Sequence, residues 1–165
     1  MHSSTEEMPM KRSILVLAAS IFALHGCATT KPQGPTAGDT SFFLGRYDRI
    51  WEVTIKTLER RSLELKEIDK ENGTISTKFT NFSVGPKAHH DLDKIADRPD
   101  IRLALYSQVG YAVTVKLTAV NDMSTQVKIK VNIEAYDSNA TKKWHPCRSK
   151  GVLEREILED IRKSI

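Results

Sequence analysis

Cysteine is nearly absent from this chain. Its 165 residues include only Cys27 and Cys147, which excludes a disulfide-stapled secreted scaffold. Long apolar runs are missing too: the most apolar stretch, Ile14 to Leu24, has 11 residues, about half of the roughly 20 that a membrane-spanning helix needs. No Cys-x-x-Cys, no His-Glu-x-x-His, no glycine-rich phosphate loop and no nucleophile elbow occurs, so no metal or cofactor is expected and no enzyme is expected. A large charge of one sign is also lacking. The formal net charge is +4, which is mild for a nucleic-acid binder, and nucleic acid is not expected as a partner. The cluster richest in ligating side chains is His89-His90-Asp91-Leu92-Asp93. Adjacent histidines chelate one metal poorly from a regular element, and this segment reads as a solvated loop.

What the chain does have begins near its start. Lys11 and Arg12 precede the apolar stretch, which ends in Leu24-His25-Gly26-Cys27. A positive segment, then a short apolar segment and a small residue, form a secretory signal rather than a membrane span. Leu24, Gly26 and Cys27 resemble the bacterial lipobox, while His25 stands where that motif carries a small or aliphatic residue. Glu6 and Glu7 are unusual ahead of such a signal, and a start at Met8 or Met10 would give a more typical one. The resemblance implies loss of residues 1–26 and a diacylglycerol thioether on Cys27, with two or more acyl chains giving stable attachment. Ala28, being other than Asp, implies the outer membrane by the same resemblance. The expected location is therefore the cell envelope, lipid-anchored on the periplasmic face of the outer membrane.

The remaining 139 residues suit one domain with one core. Glu6, Glu7, Lys11 and Arg12 cancel, so this part keeps the charge of +4. Residues 27–41 comprise the anchor cysteine and a stretch of Pro, Gly, Thr and Ser without a large apolar side chain. They read as a flexible tether. Fully extended, the part after Cys27 reaches roughly 45–50 Å. Residues 42–165 form the expected domain.

Within it, Tyr47, Trp51, Ile55, Leu58 and Ser62 recur at helical spacing, with Ile50 and Thr54 beside them. This predicts a helix over Arg46–Ser62. Leu63–Asp69 and Thr74–Thr80 predict a hairpin around Lys70-Glu71-Asn72-Gly73, where Asn-Gly supplies a positive φ. Tyr111, Val113, Val115, Leu117 and Ala119 alternate with polar or small residues, and so do Val127, Ile129, Val131, Ile133 and Ala135. They predict a second hairpin with one wet face. The odd-numbered pattern extends back through Ile101, Leu103 and Leu105, with a break near Gly110. Gly151–Ile165 predicts a closing helix with an acidic start and a basic end. Between the hairpins, Asn81–Asp100 reads as a long connection with a short helix near Asp91–Ala96.

The expected fold class is α+β: a two-layer sandwich of a four-stranded antiparallel sheet with two helices on one face, in the order α-ββ-ββ-α. Its wet face would present Lys66, Lys78, Lys116, Lys128 and Lys130 against Glu64 and Glu134. Such a face suits an anionic lipid, lipopolysaccharide or an acidic protein surface. Phe42-Phe43 reads as a contact patch or as a staple on the first helical turn. Cys147 reads as a partly packed free thiol or a reactive one.

Tyr47-Asp-Arg-Ile-Trp51, Asn72-Gly73-Thr74-Ile75, the alternating hairpin and Gly151-Val-Leu-Glu154 together resemble BamC-type outer-membrane lipoproteins, over roughly 120 residues. Known members carry two such domains, and this chain has room for one. The resemblance implies a helix-grip-like module without catalytic residues. It also implies a protein-interaction or assembly-accessory role at the envelope, the expected partners being an envelope protein and the membrane held through Cys27. The alternative is a lipoprotein that binds lipid, lipopolysaccharide or another apolar ligand.

Overall fold

The computed structural model of the protein describes residues 39–165. The expected signal, Cys27 and the tether through residue 38 lie outside the described residues. The elements follow in the order β1 (Thr40–Leu44), α1 (Tyr47–Arg60), β2 (Leu65–Asp69), β3 (Thr74–Thr77), β4 (Thr80–Val84), α2 (Ala88–Ile95), β5 (Ala96–Asp97), β6 (Tyr106–Asn121), β7 (Ser124–Asp137), β8 (Trp144–Ser149) and α3 (Val152–Arg162). Among the described residues no helix is long and apolar enough to cross a membrane.

β6 and β7 form the spine of one antiparallel sheet, paired as expected from their alternation, with Val113 opposite Val131 and Val115 opposite Ile129. β3 flanks the second half of β6 and β4 flanks the first half. On the other side, β1 flanks the start of β7 and β8 flanks its end. β2 lies outside β3, and β5 outside β8. Odd-numbered residues of β6 and β7 meet buried residues of all three helices in one core. Ile50 and Leu58 of α1, Leu92 of α2, and Ile157 and Ile161 of α3 are completely buried there. The opposite face of the sheet has no described helix over it.

The sheet thus has eight strands and three helices, which corrects the expected four strands and two helices. Each added element is short or carries a residue that argues against it. β1 takes in Thr40 and Ser41, read as tether, and places Phe43 in the core while Phe42 points away. β4 is broken by a register shift between Asn81 and Ser83, which destroys its alternation. β8 contains Pro146, which lacks an N–H and reads against a strand. It is tolerated because β5 pairs only Arg148 and Ser149 on that side. α2 stands where a short helix near Asp91–Ala96 is expected within the connection, though it starts at Ala88, and it packs by a single apolar stripe, Ala88, Leu92 and Ile95. A further shift between Tyr106 and Gln108 reverses the parity of β6. Tyr106 is buried, whereas Leu103 (φ +62°) and Leu105 are exposed, and the odd-numbered pattern stops short of them.

Local chemistry holds the helices in place. In α1, Thr54 Oγ1 donates to Ile50 O at 2.7 Å and Thr57 Oγ1 to Val53 O at 2.8 Å, so both buried hydroxyls are satisfied. Arg61 pairs with Asp160 at 2.8 Å and Glu156 at 3.5 Å, tying the end of α1 to α3. Gly73 ends the first turn at φ +65°, and its carbonyl accepts from Leu117 N at 2.8 Å. A β-carbon there would lie 2.3 Å from Leu117 O, so the hairpin needs glycine for close approach as well as for backbone conformation.

Candidate interaction face

The helix-free face is built from even-numbered residues of β6 and β7. Its register rows place Thr74, Lys116, Lys128 and Thr40 side by side, then Ser76, Thr114 and Lys130. Of the five lysines expected on this face, three therefore come together. Lys116 and Lys128 stand directly opposite each other, an unfavourable like-charge pair. Lys116 Nζ turns away to donate to Asn72 O. Asp69 sits beside it, held below the usual carboxylate range by the Asn72 N–H, then the Asn72 side chain, and also by the Lys116 charge. Lys78 falls in the break between β3 and β4 and pairs with Glu64. Lys66 sits at the register shift between Leu65 and Glu67. Glu134 is on the face, opposite Gly110 and Pro146.

Sequence reasoning missed an aromatic cluster on the same face. Trp144 of β8 is opposite Tyr136 of β7, with ring centroids 5.7 Å apart. Phe79, from the break between β3 and β4, meets Trp144 edge-on at 5.2 Å and 83°. The two rings meet above β6 and β7 because Gly110 has no side chain. A β-carbon there would lie 2.4 Å from the Phe79 ring. Phe79 and Trp144 remain 43 % and 37 % exposed. A lone glycine within an otherwise regular strand was the available signal, since it marks a close approach from another group.

Asp137, fully buried at the end of β7, positions the turn that leads into Trp144. Its carboxylate accepts from Leu105 N at 2.9 Å, Asn139 N at 3.0 Å, and Thr141 N and Oγ1 at 2.6 and 2.9 Å. Burial alone would raise its pKa, but the backbone N–H groups outweigh it and hold the carboxyl far below the ordinary range.

The opposite end of the face is apolar in a different way. Leu44 at the end of β1 is 85 % exposed and Met123 in the β6–β7 turn is 67 % exposed, with Phe42 and Val120 also open. Gly45 N donates to Met123 O at 2.8 Å, joining β1 to this turn.

The remaining residues singled out in the sequence lie elsewhere. His89 and His90 are in α2 rather than in a loop. His89 stacks on Tyr106 at 6.0 Å and contacts Arg98 through Nε2. Nearby is a polar surface cleft of about 490 Å³. Several of its charges are paired: Asp93 with Arg98 at 2.8 Å, and Asp97 with Arg148, outside the cleft, at 2.8 Å. The Arg148 hydrogen bond holds the Asp97 carboxyl below its usual range. No three His, Cys, Asp or Glu side chains among the described residues are grouped to hold a metal. Cys147 lies on the core side of β8, opposite Ile133, and burial pushes its thiol up to about 11, away from the reactive thiolate.

Compared with known families and curated proteins, the chain matches none. Among solved structures it is similar to an adenylate sensor from AMP-activated protein kinase crystallised with 5-aminoimidazole-4-carboxamide ribofuranotide (ZMP). The TM-score is 0.43 at 11 % identity, over 74 % of this chain and 94 % of that one. It is also similar to a DUF4468 family protein from Bacteroides ovatus, with a TM-score of 0.37 at 10 % identity, over 65 % of this chain and 58 % of that one. Likenesses at this level carry no argument about function.

Proposed function

We propose that this protein is a lipid-anchored envelope lipoprotein, held through Cys27, whose helix-free sheet face docks a partner protein as a non-catalytic accessory to outer-membrane assembly. The observation that carries this reading is the partly exposed Trp144, in contact with Phe79 on one side and Tyr136 on the other, on a face that no described helix covers. Large aromatic side chains in such clusters are favoured anchors of protein interfaces. The lipobox-like segment and the resemblance to BamC-type lipoproteins support the location.

Photo-crosslinking in intact cells tests it. A benzophenone amino acid at position 144 is expected to trap a discrete protein band, whereas one at Lys56 on α1 is not. Adducts of the same yield and pattern at both sites would refute a dedicated face. Mass spectrometry of the purified chain checks the anchor separately: the expected product begins at Cys27 and carries acyl mass.

A further inference from the structure

The end of the helix-free face far from the aromatic cluster combines exposed apolar side chains with cations. Phe42 and Leu44 occupy alternate positions of β1, opposite Gln126 and Ser124 of β7. They share the face with Lys128 and Lys130, whose positions stand about 7 Å apart along the strand by its repeat. Val120 and Met123 extend the apolar group across the β6–β7 turn. Neither Lys128 nor Lys130 has a carboxylate within 4 Å among the described residues. Arg46 follows β1 at the same end; Asp39 precedes β1, Asp122 lies in the β6–β7 turn, and Asp69 and Glu67 of β2 close the register rows that hold Lys128 and Lys130.

Asp39 O accepts from Ile129 N at 2.6 Å, and Thr40 is the register partner of Lys128, so β1 starts beside these lysines and runs toward the β6–β7 turn. An apolar tip backed by cations matches a bilayer interface: apolar side chains enter the acyl boundary and lysines meet anionic head groups.

We infer that the β1 end and the β6–β7 turn form a second membrane contact, in which Phe42, Leu44, Val120 and Met123 enter an anionic phospholipid surface and Lys128 and Lys130 bind its head groups. This rests on the lipoprotein reading for the nearness of a bilayer, though not for the contact itself.

The test uses the full chain with Cys27→Ser and Cys147→Ser and an environment-sensitive nitrobenzoxadiazole label at Met123→Cys, or at Lys143→Cys for reference. Phosphatidylethanolamine–phosphatidylglycerol vesicles are added, with and without doxyl-labelled lipid as quencher. The expected result is blue-shifted, strongly quenched emission at 123 and not at 143. Each Lys→Gln substitution at 128 or 130 should weaken association about fivefold, and Phe42→Ser should reduce quenching without changing the circular dichroism. Equal quenching at both positions overturns the inference. So does a benzophenone at 123 that yields a protein adduct instead of a lipid adduct in cells. The mass of the Cys27 peptide reports the anchor independently, so failure of one reading is distinguishable from failure of the other.

Discussion

Gly110→Ala is a small change whose sign depends on one neighbour. In a regular strand, alanine should be the better residue by about 0.5–1 kcal/mol, because glycine loses more backbone freedom on folding. At this position the new methyl would lie 2.4 Å from Phe79 Cε1 and Cζ and 2.9 Å from Thr80 O. The Phe79 ring has to leave. Full burial of a phenylalanine is worth about 1.5–3 kcal/mol, and the 43 % exposure of Phe79 leaves about half of that at risk. Its edge-on contact with Trp144 adds about 0.5–1.5 kcal/mol. The net expectation is a loss of about 1–2 kcal/mol. Removing the ring first should shrink this: in a Phe79→Ala background, Gly110→Ala should cost only the adjustment at Thr80 O, less the backbone entropy that alanine saves. Urea denaturation, followed by tryptophan emission and by circular dichroism, gives all four corners of the cycle. An equal loss in both backgrounds would refute the account, because it would place the cost in the backbone near Thr80 and not in the aromatic cluster. The single variant should also lose the crosslink from position 144.

Three further outcomes rest on the same geometry. Gly73→Ala should cost about 1–2 kcal/mol for its positive φ, with a further cost from the approach to Leu117 O. Gly85→Ala, at φ +85° with nothing within 4 Å, should show only the first part, and equal losses in urea would remove the close-approach argument. Asp137 has a folded-state pKa below its unfolded value. Its contribution is therefore complete above roughly pH 5 and fades as pH falls through and below the ordinary carboxylate value near 3.9. Asp137→Asn should lower the melting temperature at neutral pH and flatten its decline on acidification; an acid limb parallel to wild type would assign that limb to other carboxylates. Lys128→Glu replaces the like-charge pair with an attractive one opposite Lys116, and should stabilise the fold by about 0.2–1 kcal/mol while weakening vesicle association. A variant that gained stability and kept full vesicle binding would separate the lysines from the lipid.

The long period-2 runs were legible because a half-buried antiparallel strand imposes alternation, and β6 and β7 alternate over most of their lengths. Trp51, Ile157 and Ile161 were likewise visible through helical spacing. The missed strands were those with no period to read. β5 has two residues, β4 is split by a bulge, and β8 carries a proline that only its place in the sheet makes harmless. The same limit applied to the face. Alternation placed Lys116, Lys128 and Lys130 together, because all three sit in the two long strands. It could not place Lys66 or Lys78, which lie at irregularities, and it could not bring Phe79 to Trp144. That contact is between residues 65 positions apart and depends on an absent side chain at Gly110.

The two ends of the face define a length. From Ser124 to Tyr136, β7 runs roughly 40 Å at about 3.3 Å per residue. With the β6–β7 turn seated on a bilayer, the strand carries the Phe79–Tyr136–Trp144 cluster away from the lipid by up to that distance. The segment between Cys27 and Thr40 is itself only about 45 Å long when fully extended. Under the proposed anchoring at Cys27, that one attachment would limit the height of the domain only to within that reach. A domain held at both points presents its aromatic end at one height and one orientation. Partner crosslinks from position 144 should therefore fall off in Lys128→Gln/Lys130→Gln cells even though neither lysine touches the cluster, and they should be restored by no lengthening of the tether.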